Sequence, residues 1–172
     1  GCVNITGSSS VMSNSIWLRV SSAGRPDTSS STEFAIGTAT ASNPAGPYTP
    51  QPQPLLQTGS PGVIDAHFFR APNGDSYLLW KPDGNAIGQP TPIRIQPLSS
   101  DGLSLQGSAT TLLTNTLPWE GNVIEGPWMI FEGGFYYLFY SANGYASTAY
   151  AIGVARATSP SPTASTSRPA RT

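Results

Sequence analysis

The chain has 172 residues, a formal net charge of -1 and only 10% charged residues. So little positive charge argues against binding to nucleic acid or to an anionic membrane, and no apolar run reaches the roughly 18 residues that a membrane span needs. One cysteine, Cys2, and one histidine, His67, exclude an internal disulfide and a cysteine or paired-histidine metal centre, so the sequence predicts no metal or cofactor site.

The first sixty residues contain a glycosylation sequon and two candidate strands. Residues 4–6 read Asn-Ile-Thr, the acceptor pattern for N-glycosylation, which favours a secreted, extracellular protein. The apolar segments IWLRV (16–20) and EFAIG (33–37) are typical of short strands. The 18 glycines and 17 prolines of the whole chain favour many short strands joined by turns over long helices.

Two later segments repeat each other at a spacing of 60 residues. Residues 64–80 read IDAHFFRAPNGDSYLLW, and residues 124–140 read IEGPWMIFEGGFYYLFY. A shift of 60 superposes identical or similar residues: Ile64 on Ile124, Asp65 on Glu125, Gly74 on Gly134, Tyr77 on Tyr137, Leu78 on Leu138 and Trp80 on Tyr140. Such self-similarity at a fixed period is the mark of a repeat architecture.

A further strand follows each of these segments, so the chain divides into similar units. The additional strands lie in residues 33–48, 92–107 and 149–163. We predict three units of three or four short strands each, at about residues 1–57, 58–117 and 118–158. The remaining stretch, 159–172, is rich in serine, threonine and proline, which predicts a disordered tail. Its composition is also that of an O-glycosylated stalk.

The strands YLLW and YYLFY are apolar on both faces, which indicates that both faces are covered. A β-propeller of four-stranded antiparallel blades covers them in this way, because each blade packs against its neighbours. We therefore predict an all-β propeller domain over residues 1–158, with a β-sandwich as the alternative. The aromatic residues that recur with strand spacing in the third unit are assigned to the core: Trp128, Phe131, Phe135, Tyr137 and Phe139.

Asp65 and Glu125 stand at the same place in the repeat, at the end of an apolar strand. Equivalent positions of innermost propeller strands converge on the central axis, so the two carboxylates are expected to face one pocket. Like charges in a partly dry site help one carboxyl to keep its proton, as a general acid in glycoside hydrolysis requires. Either residue alone is better explained as a strand-end carboxylate in a turn; their coincidence favours catalysis.

Four other side chains are candidates for binding a sugar. Trp119, beside Glu120 in LPWEGN, could stack on a sugar ring or cover the core. Lys81 and Asn85, in WKPDGN, could bind hydroxyl groups, although an ordinary Pro-Asp-Gly turn also explains this segment. His67 could reach the pocket from two residues beyond Asp65, or serve as a buried strand histidine.

Several segments resemble glycoside hydrolase family 43, the five-bladed propeller arabinanases, arabinofuranosidases and β-xylosidases. They are VIDAHFF, GDSYLLW, LPWEGNVIEGPWMI, GFYYLFYS and AIGTATASNPAGPY, and the resemblance covers about residues 33–158. The most specific part is Glu-Gly-Pro at 125–127 followed by a Tyr-Tyr-Leu strand. The resemblance implies that Glu125 is the general acid and that Asp65 is the third carboxylate, which orients the acid.

The resemblance also implies inverting hydrolysis of O-glycosidic bonds in arabinose- or xylose-containing plant cell-wall polysaccharides, by a monomer. The family's general base should come from the first blade, but Ile5 stands 60 residues before Asp65, and Asp27 is interpreted as a turn residue. Under three of five blades are present, so weak or no turnover is expected. The alternative is an inactive fragment or a carbohydrate-binding remnant, and a structural calcium ion in the full propeller stays open.

Overall fold

A computed structural model describes residues 15–23 and 33–161 of the protein. The predicted sequon at residues 4–6, the position of Ile5, the turn at Asp27 and residues 162–172 of the predicted tail lie outside the described residues. Within them, the regular elements are ten strands and two short 3-10 helices, Gly84–Ile87 and Pro118–Glu120. The strands are β1 Ser15–Ala23, β2 Glu33–Ala41, β3 Thr49–Pro50, β4 Val63–Arg70, β5 Ser76–Pro82, β6 Ile93–Leu98, β7 Thr110–Leu113, β8 Ile124–Glu132, β9 Phe135–Ala142 and β10 Ala151–Ala157.

The strands form three antiparallel sheets that follow one another along the chain. Their orders are β1-β2-β3, β4-β5-β6-β7 and β8-β9-β10. By their place in the sheets, β1, β5 and β9 correspond, as do β2, β6 and β10, which is the correspondence that the repeat predicted. The all-β class and the organisation into partial blades are therefore confirmed. In the part of the chain that the structure describes, no helix has the length and apolarity of a membrane span.

Two hydrophobic clusters hold the sheets together, one on each face of the central sheet. Leu78 belongs to the cluster shared with the first sheet, together with Ile36 and Val63. Its neighbour Leu79 belongs to the cluster shared with the third sheet, together with Ile124. Successive side chains of a strand point to opposite faces, so β5 buries both of them, each for about 2 kcal/mol. The prediction that YLLW is covered on both sides is confirmed.

The third sheet differs, because only one of its faces is covered by the described residues. Leu138 and Tyr140 of β9 are buried against the central sheet. The predicted core assignment is wrong for three aromatic residues on this sheet, which are exposed by 42%, 38% and 37% in the order Trp128, Phe131 and Phe139. Trp128 and Phe139 pair with each other on the face opposite Met129 and Leu138, whereas Phe131 lies on the face of Met129 and is exposed near the end of β8. Strand spacing shows neither whether a neighbouring sheet covers a face nor how far along the strand that cover extends.

The two hairpins of the repeat contain the same β-bulge. At this bulge, the structural equivalence of the two hairpins differs by one residue from the sequence alignment at a shift of 60. In β4 the pairing with β5 shifts between Ile64 and His67, and in β8 the pairing with β9 shifts between Glu125 and Trp128. The residue after the last paired one has φ of 59° at Asp65 and of 60° at Gly126. The structure therefore superposes Asp65 on Gly126, and the predicted equivalence of Asp65 and Glu125 is wrong by one residue.

Candidate active site

Asp65 lies at the bulge of β4 with its backbone in the left-handed region. This conformation is uncommon for a residue other than glycine, although aspartate adopts it more readily than most. Oδ2 of Asp65 accepts a hydrogen bond from the backbone N–H of Gly126 at 3.0 Å. The bond ties the bulge of the second sheet to that of the third. Despite the offset of one residue, the structure brings the neighbourhoods of Asp65 and Glu125 together.

The carboxylate of Glu125 has two partners from other parts of the chain, one hydrogen-bond donor and one cation. Tyr150, which directly precedes β10, donates its hydroxyl to Oε1 of Glu125 at 3.1 Å. Lys81, at the end of β5, places Nζ 3.6 Å from Oε2. Each carboxylate oxygen therefore has a partner of its own, while the side chain keeps 19% of its surface exposed. A carboxyl group that is held firmly and still open to solvent is suited to transfer a proton.

Lys81 is completely buried, with 0% of its side chain exposed. Its ammonium group contacts Oδ1 of Asn85 at 2.7 Å, Glu125 at 3.6 Å and Oδ1 of Asp83 at 3.9 Å. A buried cation of this kind is stabilised by the carboxylates around it. The predicted role of Lys81 in binding sugar stays a prediction, while the observed partners of its ammonium are protein side chains.

Asp83 and Asn85 follow Lys81 along the chain, and the side chains of both contact its ammonium group. Burial raises the pKa of Asp83; the ammonium of Lys81 counteracts this rise, and the nearby charge of Asp65 adds to it. Asp83 therefore belongs to the group of charges around the candidate acid. Asn85 is exposed and lies in the 3-10 helix that follows β5, so its predicted contact with sugar is compatible with its position.

Tyr150 was not among the predicted site residues. Burial raises its pKa, a hydrogen bond with Ser141 lowers it, and the charges of Glu125 and Asp65 raise it further. The phenol therefore keeps its proton near neutral pH and remains a donor. A signal was available in the sequence: Tyr150 precedes AIGVAR as Phe34 precedes AIGTAT. From the sequence alone, an aromatic residue at this position is explained by strand packing, because the contact between the Tyr150 hydroxyl and Glu125 is visible only in the structure.

The beginning of β8, which carries Glu125, is fixed by polar contacts from two loops. The buried hydroxyl of Thr91 accepts the backbone N–H of Ile124 at 3.0 Å. On the other side, the N–H of Asn143 lies 3.0 Å from the carbonyl oxygens of both Glu120 and Val123. These bonds hold the backbone next to the candidate acid in place, and the contact with Thr91 comes from the loop that precedes β6 of the central sheet.

Trp119 is partly buried and packs against the hydrophobic core. Its ring stacks on that of Tyr140 with centroids 6.0 Å apart, and it covers the cluster between the second and third sheets. Its neighbour Glu120 is 0% exposed and accepts hydrogen bonds from the backbone N–H groups of Thr116 and Leu117 and from the hydroxyl of Tyr140. The position of Trp119 favours the alternative that it covers the core, and Glu120 supports the loop.

His67 is buried as well, with 3% of its surface exposed. Its ring lies 4.4 Å from that of Trp128, and Nε2 lies 3.3 Å from the carbonyl oxygen of Met129, to which it donates. Burial lowers the pKa of His67 to about 4, and the hydrogen bond to Met129 offsets part of this shift. The imidazole is neutral near pH 7 and joins two sheets, a position that favours the alternative of a buried strand histidine.

Comparison with known proteins gives a consistent result. The sequence model described as Glycosyl hydrolases family 43 matches residues 13–170. The beta-D-galactofuranosidase xynD of Aspergillus niger is 29% identical over 132 residues, which are 75% of this chain and 35% of that protein.

Solved structures agree with this match. A thermostable family-43 glycoside hydrolase superposes with a TM-score of 0.76 and 29% identity, covering 90% of this chain and 50% of that chain. The endo-arabinase of Bacteroides thetaiotaomicron shares the fold, with a TM-score of 0.75 at 17% identity. The superposition covers 94% of this chain and 58% of the endo-arabinase chain. The chain thus spans between about a third and about three fifths of the length of these relatives.

Proposed function

Because the chain belongs to glycosyl hydrolase family 43, we propose that it supplies the general acid of a glycosidase, with Glu125 in that role. The observation that carries the proposal is the setting of Glu125. Its carboxyl group stays partly exposed while Tyr150 and Lys81 hold one oxygen each. The segment around it, Glu-Gly-Pro at 125–127, is also the most specific part of the sequence resemblance.

In the proposed reaction, the carboxyl group of Glu125 gives its proton to the oxygen of the glycosidic bond as that bond breaks. The electron pair of the bond remains on the leaving oxygen, and the sugar carbon becomes oxocarbenium-like. Water attacks that carbon from the opposite face and loses a proton to a general base, which inverts the configuration. Inversion needs roughly 6.5–9.5 Å between the two carboxyl groups to leave room for water.

Asp65 has a supporting part in this proposal. Its hydrogen bond to the N–H of Gly126 fixes the residue that follows Glu125. Movement of this backbone by about an ångström would misalign the acid with the leaving oxygen, and such misplacement can cost around a hundredfold in rate. Asp65 is therefore assigned to orienting the acid. The general base is expected from the first blade, for which the sequence offers no matching residue.

The proposed substrates are polysaccharides of plant cell walls that contain arabinose or xylose. The endo-arabinase of B. thetaiotaomicron and an arabinoxylan arabinofuranohydrolase from Bacillus subtilis carry these sugars in their names and share the fold. The relative from Aspergillus niger is named for galactofuranose, which is also a neutral sugar. A neutral glycoside is the chemistry common to them, and an extracellular location is proposed because such polymers lie outside the cell.

The test measures hydrolysis of aryl α-L-arabinofuranoside and aryl β-D-xyloside by this chain and by a longer form with a complete propeller. Glu125→Gln should lower kcat by about 10²–10⁴-fold, the usual contribution of general acid catalysis. Glu132→Gln is the matched control, since Glu132 is exposed at the other end of the same strand, β8. Proton NMR of the first product reports whether the configuration is inverted.

Activity that survives in Glu125→Gln would remove the proposed role of this residue. Turnover by neither form on either substrate would reject the glycosidase proposal, and sugar binding without turnover would favour a carbohydrate-binding remnant. Retained configuration in the product would contradict the inverting mechanism while leaving the acid assigned. Secretion has its own test: treatment with an N-glycan-cleaving enzyme should reduce the mass of the protein isolated from its source if Asn4 carries a glycan.

A further inference from the structure

The ammonium group of Lys81 is shared between two carboxylates. Its Nζ lies 3.6 Å from Oε2 of Glu125 and 3.9 Å from Oδ1 of Asp83, and it donates a hydrogen bond to Oδ1 of Asn85 at 2.7 Å. Only the last of these distances is that of a hydrogen bond, since N–H···O bonds are about 2.7–3.2 Å long. The cation is therefore paired with both carboxylates at similar distances and is bound tightly to neither.

The position of Asp83 beside this ammonium is fixed by its backbone. Its N–H donates to the carbonyl oxygen of Gly62 at 3.0 Å, and only 8% of the residue is exposed. The next residue, Gly84, is packed so closely that an added Cβ would lie 2.5 Å from the carbonyl oxygen of Pro90. Asp83 is thus held in place by the connection after β5, independently of the sheet that carries Glu125.

General acid chemistry changes the charge next to this cation. The carboxyl group of Glu125 must be neutral to donate a proton, and it becomes an anion once the proton has left. Lys81 has no exposed side-chain surface, and a buried ammonium without a counter-ion carries a large desolvation penalty. With Glu125 as its only carboxylate, Lys81 would favour the anionic form, which has no proton to give. Asp83 supplies a second negative charge that remains when Glu125 takes up a proton.

We propose that Asp83 is a positioning residue that acts on Glu125 through Lys81. It keeps the buried ammonium paired while Glu125 carries a proton, so that the acid is protonated when the glycosidic bond is to be cleaved. The inference rests on the proposed function of Glu125. It adds a carboxylate that touches neither the substrate nor the acid and influences the acid only through a shared cation.

Two further groups influence the electrostatics of this site. Tyr150 donates its hydroxyl to Oε1 of Glu125, and Asp65 accepts a backbone N–H from the third sheet. Burial raises the pKa of Asp83, the ammonium of Lys81 counteracts this rise, and the charge of Asp65 adds to it. Neither group replaces Asp83 as a counter-ion, because the phenol of Tyr150 keeps its proton and the carboxylate of Asp65 is engaged by a peptide group.

The first test uses the 172-residue chain itself. Lys81 is the only lysine of the sequence, so labelling lysine alone with ¹³C and ¹⁵N gives a single side-chain signal, whose position is followed by NMR from pH 3 to 8. One titration step should disappear in Glu125→Gln and another in Asp83→Asn. In Asp83→Asn the step of Glu125 should also move to lower pH by roughly one unit, because Lys81 then has Glu125 as its counter-ion alone. Asp75→Asn, at an exposed turn, is the matched control and should change neither step.

The second test measures the pH profile of kcat/KM in the longer form with a complete propeller. Asp83→Asn should move the pH above which activity falls down by roughly one unit. At lower pH, activity should change by less than about twofold, since the acid itself is intact. Asp83→Glu keeps the charge and should restore the profile. In a Lys81→Met background, Asp83→Asn should not move the profile further, whereas a direct effect of Asp83 on Glu125 would move it equally in both backgrounds.

A lysine signal that keeps every step in Asp83→Asn would overturn this inference, as would a Glu125 step that stays in place. Should Asp83→Asn not fold, Glu125→Gln alone decides, because its lysine signal must still show one carboxylate step. The outcome is separable from that of the hydrolysis test. A signal that senses both carboxylates without hydrolysis in any form removes the acid role of Glu125 and leaves only the coupling of charges. Hydrolysis with a pH profile that ignores Asp83 removes this inference alone.

Discussion

The hydroxyl of Tyr150 and Oε1 of Glu125 lie 3.1 Å apart, although the two residues are 25 positions apart in the chain. Tyr150 reaches the carboxylate from the segment that directly precedes β10, while Glu125 stands on β8 of the same sheet. The contact is in a position to hold the carboxyl group in one rotamer as substrate arrives. Its contribution can be separated from packing, because removing the oxygen leaves the aromatic ring in place.

We predict that Tyr150→Phe lowers kcat of an active form of the protein about tenfold, with little change in KM. The loss of one hydrogen bond to a partly exposed carboxyl group corresponds to roughly 1–1.5 kcal/mol. Steady-state kinetics with an aryl glycoside checks this, and circular dichroism verifies the fold. Tyr145→Phe is the control, because Tyr145 is exposed by 84% in the same connection. Equal losses in both variants would contradict a specific role for Tyr150.

A second prediction concerns the pH dependence of stability. The pKa of His67 is lowered from 6.5 to about 4 in the folded protein, so between these values the unfolded chain binds more protons than the folded one. The free energy of unfolding is therefore highest above pH 6.5 and falls as pH decreases toward 4. The loss due to His67 amounts to about 3 kcal/mol at pH 4.

Urea unfolding of the chain and of His67→Phe at several pH values between 4 and 7 measures this loss. The difference between the two proteins isolates the contribution of His67, because the other titrating groups, including Asp83, are common to both. We expect the free energy of the variant to depend less on pH across this window. Parallel curves for the two proteins would show that burial does not keep the imidazole neutral.

A third prediction concerns the buried carboxylate of Glu120. Its two oxygens accept three hydrogen bonds, from the N–H groups of Thr116 and Leu117 and from the hydroxyl of Tyr140. Glu120→Gln puts an N–H group where one of these donors needs an acceptor, so we expect a loss of about 1–3 kcal/mol in unfolding free energy. Chemical denaturation measures it. Glu132→Gln, at an exposed site, should change it by less than about 0.5 kcal/mol.

A fourth prediction tests the packing behind the acid strand. A Cβ atom on Gly153 would lie 2.6 Å from the hydroxyl oxygen of Tyr140 and 2.8 Å from Cη2 of Trp119, and would also overlap Cζ of Tyr140. Gly153→Ala should therefore cost about 2 kcal/mol or more, since the two rings must move. Thermal unfolding compares it with Gly144→Ala, where an added Cβ meets no atom within 4 Å. Similar melting temperatures for both variants would contradict this account.

Much of the fold could be predicted because the repeat is carried by short-range patterns. Two hairpins with apolar strands on both faces indicated packed blades, and Leu78 and Leu79 do face different clusters. The offset at Asp65 could not be predicted. Five residues separate the paired Arg70 and Ser76 in the first hairpin, but four separate Phe131 and Tyr136 in the second. An alignment without gaps that superposes β5 on β9 therefore misplaces β4 against β8 by one residue, and with it the two carboxylates.

The contacts of the site could be predicted only in part, because they join distant segments. The pairing of Lys81 with Glu125 spans two sheets, so a residue that looked like part of a turn is a buried partner of the candidate acid. His67 next to Asp65 looked like a pocket residue, yet the alternation and burial of β4 place it against Trp128. Exposure depends on which sheet lies opposite, and local sequence does not contain that information.

The one-residue offset at the bulge gives the two carboxylates, Asp65 and Glu125, different surroundings. Had Asp65 and Glu125 occupied symmetry-related sites, both would have met the same surroundings, and neither would have been distinguished for the proposed role of proton donor. Instead one sits on the kinked residue and holds a peptide group, and the other sits just before the kink and holds a phenol and an ammonium. Broken symmetry between neighbouring repeats thus provides a division of labour that a perfect copy of the unit would lack.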